Sequence, residues 1–83
     1  MKKIIIYTTL VCPYCVRAKA LLTRKNFTYE EINANDDNIR DEMIKKSGGM
    51  RTVPQIFIGD QHIGGCDDLY ALEKDGKLDQ LVT

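Results

Sequence analysis

The sequence predicts an α/β protein, and three observations carry that prediction. A short β-branched run, Lys3–Thr8, has the composition of a buried strand, and a helical pattern follows it from Pro13 to about Lys25. Residues 56–63 contain two strand-like runs on either side of a Gly-Asp turn, which indicates a hairpin. Because 43% of the 83 residues are hydrophobic, we expect one domain, residues 1–83, around a modest core.

The remaining elements complete the order β-α-β-α-β-β-α. Thr28–Ile32 is the second strand candidate, and Asn35–Asp37 caps a second helix that ends before the glycines at 48 and 49. The last long helix runs from about Cys66 to Gly76, and residues 78–81 add a final turn. A β-α-β unit implies parallel strands with a right-handed crossover, and the hairpin adds antiparallel strands. The predicted architecture is therefore a four-stranded mixed sheet with helices on both faces.

The charge balance argues against several classes of partner. Lysine plus arginine and aspartate plus glutamate both number 12, so the formal net charge is zero. A protein of this size that binds nucleic acid or an anionic membrane normally shows a basic excess, so we expect neither partner. Lys2-Lys3 before Ile4–Ile6 resembles the start of a signal peptide, but Pro13 interrupts the apolar run and Arg17 and Lys19 follow. We therefore expect a cytoplasmic protein.

Two of the three cysteines stand only three residues apart, at Cys12 and Cys15. A close pair in a cytosolic chain indicates metal binding or redox chemistry. Residues three apart on a helix face the same way with Cβ atoms roughly 5–6 Å apart, which is close enough for a disulfide after a small adjustment. Cys12 falls at the predicted helix N-cap, where backbone N–H groups and the helix dipole favour a thiolate. Cys15 lies one turn inside and is suited to resolving a mixed disulfide.

A metal site is the competing interpretation of these cysteines. His62 and Cys66 have the spacing H-x3-C, so together with the close cysteine pair the sequence contains four possible metal ligands. Compact zinc modules separate their ligand pairs by roughly 12–20 residues, and the gap from Cys15 to His62 is much longer. We therefore expect no metal, with Cys66 a small buried residue and His62 an exposed or hydrogen-bonded strand residue.

Three motifs together carry a resemblance to a known family. They are Cys12-Pro13-Tyr14-Cys15, then Thr52-Val53-Pro54 before the hairpin, and Gly64-Gly65-Cys66-Asp67-Asp68 at the start of the last long helix. In this order they resemble the dithiol glutaredoxins, most closely the short bacterial members, over nearly the whole chain. The resemblance implies a thioredoxin-like fold, with the peptide bond before Pro54 in cis.

The resemblance also implies a function. Members of this family are glutathione-disulfide oxidoreductases that reduce protein disulfides and glutathione mixed disulfides, with glutathione as reductant and cosubstrate. The implied catalytic residues are Cys12, as attacking thiolate, and Cys15. The implied partners are glutathione and disulfide-containing or glutathionylated proteins, ribonucleotide reductase among them, and the implied state is a monomer.

The glutathione-binding residues come from the same resemblance. The Val53 backbone would pair with the cysteinyl part of glutathione, while the N–H groups of Cys66 and Asp67 would take the γ-glutamyl carboxylate. The Asp67 side chain would then meet the γ-glutamyl ammonium. The full implied set is Tyr14, Thr52, Val53, Pro54, Gly65, Cys66 and Asp67.

One departure from the family pattern concerns the glycyl carboxylate of glutathione. Many relatives carry a lysine shortly before the first cysteine, where this chain has Thr8-Thr9-Leu10-Val11. Arg17 and Arg51 are the candidate substitutes. Two alternatives stay open: an electron donor recharged by thioredoxin reductase, and a metal or cluster carrier, which Pro13 disfavours because cluster-bridging relatives usually have Gly or Ser there.

Overall fold

A four-stranded mixed sheet forms the centre of the computed structural model, which describes residues 1–83. The strands lie in the order β2-β1-β3-β4. The β1 strand pairs in parallel with β2 and antiparallel with β3, and β3 pairs antiparallel with β4. The bounds are β1 Ile4–Thr8, β2 Glu30–Asn33, β3 Gln55–Ile58 and β4 Gln61–Gly64. The predicted topology is confirmed.

Helices cover both faces of the sheet. Their bounds are α1 Pro13–Arg24, α2 Asp37–Lys46, α3 Cys66–Lys74 and α4 Leu78–Val82. Because side chains alternate along a strand, β1 contributes Ile4 and Ile6 to one core and Tyr7 to the other. The first core contains buried residues of α1, α3 and α4, and the second packs Met43 of α2 against Tyr7 and Phe57.

The second strand differs from its predicted bounds. It begins at Glu30 rather than Thr28 and ends at Asn33 rather than Ile32. The reason is the register with β1, which pairs Ile5 with Glu30 and Thr8 with Asn33. The ladder with β1 begins at the first of these pairs, so tertiary pairing rather than the β propensity of Thr28 and Tyr29 sets the bounds of the strand.

Local chemistry explains where the helices begin. Pro13 is the first residue of α1, where a missing N–H costs nothing. Asp36 caps α2 by accepting hydrogen bonds from the backbone N–H groups of Asn38 and Ile39 at 2.8 and 3.3 Å. At the hairpin, Gly59 has φ +58°, a left-handed conformation that glycine adopts without cost.

Ion pairs connect elements that the chain separates. The Lys25 ammonium, just after α1, lies 2.9 Å from Glu73 of α3 and 3.0 Å from Asp79 of α4. Hydrogen bonds to these carboxylates raise the pKa of Lys25. A second cluster joins β1, α1 and β2: the Glu31 carboxylate accepts from the Thr8 hydroxyl at 2.6 Å and from Lys19 at 2.9 Å.

No helix has both the length and the apolar character needed to cross a membrane.

Candidate active site

Cys12 and Cys15 form a disulfide at the start of α1. Cys12 is the N-cap residue, as predicted, and its sulfur accepts a hydrogen bond from the Cys15 backbone N–H at 3.1 Å. Cys12 is partly exposed, whereas Cys15, which lies in the first turn of the helix, is only 1% exposed. Of the two sulfurs, Cys12 is therefore the one that an incoming thiol or disulfide can reach.

The Val53–Pro54 segment lies directly beside Cys12. The peptide bond between these two residues is cis, as the resemblance implied. The Cys12 Sγ lies 3.9 Å from the Val53 carbonyl oxygen. Val53 is partly exposed and Pro54 is buried, so Val53 is the residue of this pair that an approaching molecule can contact.

A groove of about 300 Å³ begins at this segment. Its lining contains every residue of the implied glutathione-binding set, although these residues come from three separate parts of the chain. The lining residues are Tyr14, Met50, Thr52, Val53, Pro54, Gln55, Gly65, Cys66, Asp67 and Asp68. The sequence interpretation missed Met50 and Gln55 and gave Asp68 only a helix-end role. The signal that could have identified Gln55 is its position as a polar residue directly before the apolar run that ends at Ile58.

The far side of the groove is the N-terminus of α3. The Asp68 carboxylate accepts a hydrogen bond from the Gly65 backbone N–H at 3.0 Å and caps this end. At Gly64 φ is +121°, and a Cβ there would lie 2.8 Å from the Asp68 carboxyl carbon. Glycine is therefore required for the chain to turn into α3. The Asp67 carboxylate makes none of these contacts and is exposed to solvent at the groove.

Cys66 is a free cysteine that is 3% exposed, and its environment differs from that of Cys12. Burial raises the pKa of the Cys66 thiol above its usual value, and the neighbouring Asp67 carboxylate raises it further, while Arg17 acts in the opposite direction. This thiol therefore stays protonated at neutral pH, and its expected role as a small buried residue agrees with the structure.

The two candidate arginines have different surroundings. The Arg17 guanidinium lies over two aromatic rings, 5.8 Å from the Tyr14 centroid and 5.5 Å from the Tyr70 centroid. Because Tyr14 lines the groove, these contacts hold a cation at its margin. Arg51 is exposed. Of the two, Arg17 is the one whose position is fixed beside the groove.

His62 does not join the cysteines in a metal site. Its Nε2 lies 2.7 Å from the Gln55 side-chain oxygen, so it is a hydrogen-bonded strand residue, as predicted. No group of three or more His, Cys, Asp or Glu side chains is arranged to hold a metal ion. The four side chains that the sequence offered as possible metal ligands are therefore not brought together in this structure.

Comparisons with known proteins agree with this geometry. The glutaredoxin family model matches residues 4–63. The chain is 58% identical over 81 residues to glutaredoxin 1 of Rickettsia prowazekii, covering 95% of this chain and 85% of that protein.

Two solved structures show the same fold. The solution structure of glutaredoxin from Brucella melitensis has 58% identity and a TM-score of 0.87, covering 99% of this chain and 89% of that one. The buckwheat glutaredoxin–glutathione complex has 32% identity and a TM-score of 0.85, covering 95% of this chain and 74% of that one. The thioredoxin-like fold is thereby confirmed. With its Cys12–Cys15 pair at the start of a helix, the chain belongs to the glutaredoxin family of glutathione-disulfide oxidoreductases.

Proposed function

We propose that this protein reduces protein disulfides and glutathione mixed disulfides with glutathione, through Cys12. The observation that carries the proposal is the groove beside Cys12, because polar backbone and carboxylate groups line it next to Val53, whose carbonyl oxygen lies 3.9 Å from the Cys12 sulfur. A groove of about 300 Å³ suits a tripeptide that lies partly in solvent. The buckwheat relative of the same fold is described as a complex with glutathione.

In the proposed reaction Cys12 is both attacker and leaving group. Its thiolate attacks the glutathione sulfur of a mixed disulfide, and the substrate leaves as a thiolate. A glutathione thiolate then attacks the resulting Cys12–glutathione disulfide, releasing glutathione disulfide and the Cys12 thiolate. With a protein disulfide, Cys15 instead displaces the substrate thiol and closes the Cys12–Cys15 disulfide, which two glutathiones reopen.

The helix N-terminus favours the leaving step more than the attacking step. A thiol of ordinary pKa is roughly 3% ionised at about pH 7, so full ionisation gains roughly 30-fold in reactive species. A lower pKa raises the ionised fraction of a thiol but lowers its intrinsic nucleophilicity by a comparable factor, whereas a less basic thiolate always departs faster. The hydrogen bond from the Cys15 N–H to the Cys12 sulfur supports this stabilised leaving group.

Glutathione is proposed to lie along the groove with its γ-glutamyl end at the N-terminus of α3. The Val53 backbone pairs with the cysteinyl residue, and Thr52 lies beside it. The backbone N–H groups of Cys66 and Asp67 receive the γ-glutamyl carboxylate at the positive end of α3, and the exposed Asp67 side chain receives its ammonium. Cys66 takes part through its backbone alone, since its side chain is buried.

The glycyl carboxylate is proposed to meet Arg51 rather than Arg17. Arg51 is exposed and directly precedes the groove residue Thr52. Arg17 stacks instead on Tyr70 of α3 and opposes the rise that burial causes in the pKa of Cys66, so it stands at the side of the groove assigned to the γ-glutamyl group. Arg51→Gln should therefore raise the KM for a glutathione mixed disulfide, and Arg17→Gln serves as the matched control. Equal effects of the two substitutions would contradict this assignment.

Protein substrates are proposed to dock on apolar side chains that surround Cys12. Leu10, Val11 and Val16 are 82%, 91% and 62% exposed, which is unusual for large apolar residues so close together in sequence. Leu10 and Val11 belong to the stretch before Cys12 in which many relatives carry a lysine. Proteins with apolar residues flanking an accessible disulfide are the class that this surface fits, and the cytoplasm, with its glutathione pool, is the proposed site of action.

The decisive test compares wild type, Cys12→Ser and Cys15→Ser in reduction of a small glutathione mixed disulfide by glutathione. Cys12→Ser should be inactive and Cys15→Ser active, because only Cys12 exchanges with glutathione in this reaction. Reduction of a protein disulfide should require both cysteines. If the folded wild type is inactive with glutathione but is reduced by thioredoxin reductase and NADPH, the protein is a reductase-fed electron donor instead.

A further inference from the structure

We propose that His62 and Gln55 are positioning residues for the segment Thr52–Pro54. This inference rests on the proposed function, since it gives His62 and Gln55 a role in glutathione binding. Neither residue contacts Cys12 in the structure, and His62 lies outside the groove lining. They act through a chain of hydrogen bonds that starts on strand β4 and ends at Thr52.

The first observation is a buried polar side chain. Gln55 is 1% exposed, although glutamine is mostly a surface residue. Its side-chain nitrogen donates to the Thr52 carbonyl oxygen at 2.9 Å and to the Thr52 hydroxyl oxygen at 3.3 Å. Its side-chain oxygen lies 2.7 Å from the His62 Nε2. Every polar atom of this amide is used, and two of its three bonds go to one groove residue.

The direction of each bond follows from the donors available. Both amide hydrogens of Gln55 point to oxygen atoms of Thr52, so its carbonyl oxygen faces His62. The His62 Nε2 must therefore carry a hydrogen and donate it. The Thr52 hydroxyl accepts from Gln55 and so keeps its own hydrogen for a ligand in the groove. The network thus orients the one side-chain hydroxyl that lines the groove besides that of Tyr14.

His62 is itself held in place by the sheet. Its backbone pairs with Phe57 across the β3–β4 ladder, and its ring packs on the Phe57 ring with centroids 5.0 Å apart. The hydrogen bonds therefore run from a fixed strand to the residue immediately before Val53-Pro54. Loss of the His62 hydrogen bond would leave the buried Gln55 oxygen without a partner and release the amide to rotate away from Thr52.

Two substitutions separate the hydrogen bond from ring packing. His62→Phe keeps an aromatic ring on Phe57 and removes the donor, whereas His62→Gln supplies a side-chain N–H of similar reach without the ring. The measurement is single-turnover attack by the reduced protein on the glutathione–cysteamine mixed disulfide and on cystamine, which has no glutathione. Gln55→Met, which removes the whole amide, is the second variant.

His62→Phe should raise the half-saturating concentration of the glutathione substrate roughly threefold to tenfold, the factor expected for one internal hydrogen bond. Its rate constant at saturation and its reaction with cystamine should stay at the wild-type values. His62→Gln should restore wild-type half-saturation, and Gln55→Met should shift half-saturation in the same direction as His62→Phe.

Three results would overturn the inference while leaving the proposed function intact. They are unchanged half-saturation in both His62→Phe and Gln55→Met, equal slowing of both substrates, and failure of His62→Gln to restore binding. If wild type itself does not prefer the glutathione substrate to cystamine, the proposed function fails first, and that outcome is visible before any variant is compared. If His62→Phe does not fold, Gln55→Met and His62→Gln decide.

Discussion

Cys12 and Cys66 both stand at the start of a helix but have opposite surroundings. Cys12 is the N-cap of α1, partly exposed, and Cys66 is the first residue of α3, 3% exposed. The first turn of α1 contains no acidic residue, whereas α3 carries Asp67 and Asp68. Both thiols lie near a positive helix end, yet only one sulfur lies where a substrate can reach it.

The difference shows that a helix N-terminus does not make a thiol reactive by itself. Burial raises the pKa of Cys66, and the adjacent Asp67 carboxylate adds to that effect. At Cys12 the sulfur directly accepts a backbone N–H and remains open to solvent. Access and the absence of a neighbouring carboxylate decide which cysteine does chemistry, and three predictions test this contrast.

The largest expected effect is in alkylation of the reduced protein. At about pH 7 iodoacetamide should modify Cys12 at least tenfold faster than Cys66, because the Cys66 thiol is both buried and protonated. Peptide mapping by mass spectrometry gives both rates in one experiment. Cys12→Ser is the control, in which Cys66 labelling should remain slow. Comparable labelling of the two cysteines in the native protein would break the comparison.

The next effect is on stability, where substitution of Cys66 should matter more than substitution of Cys12. Cys66→Ala should lower the free energy of unfolding of the reduced protein by about 1 kcal/mol, because it removes a buried sulfur from the core. Cys12→Ser should cause no such loss, since serine is a good N-cap residue. Urea unfolding under reducing conditions measures both. A larger loss for Cys12→Ser would mean that Cys12 also has a structural role.

The smallest effect comes from giving α1 the acidic character of α3. Val16 is 62% exposed and lies one turn after Cys12, on the same side of the helix. Val16→Asp should lower the acid dissociation constant of the Cys12 thiol, followed over a pH titration, by up to about threefold, the size of a helix-end charge effect. Val16→Asn is the uncharged control. Ultraviolet absorbance of the thiolate measures the change, and equal behaviour of the two variants would contradict it.

Much of this fold was predictable because local signals agree with the global arrangement. Pro13 after Cys12, Asp36 before α2 and the Gly59 turn each mark an element boundary by a mechanism that needs no tertiary information. The β2 bounds needed the register with β1, which periodicity does not contain. Local sequence patterns could not predict the cis peptide bond before Pro54 either, since few X–Pro bonds are cis. Only the family resemblance implied it.

The candidate site shows the same division. The Cys12–Cys15 pair was visible from spacing, because both residues lie in one helical turn. The groove required Tyr14, Val53 and Asp67 to come together from three segments, and only the resemblance indicated that. The hydrogen bonds of Gln55 could not be predicted, because no local rule indicates which strand residue will face the Thr52 carbonyl.

The Glu31 carboxylate has a consequence for how partners are met. By accepting from Thr8, the last residue of β1, and from Lys19 on α1, it ties together the two elements between which Leu10 and Val11 lie. A short loop between tied elements has little conformational freedom to lose. The docking proposed on Leu10 and Val11 would therefore spare much of the ordering entropy that a mobile loop would lose, so a small contact area would suffice for a short-lived complex.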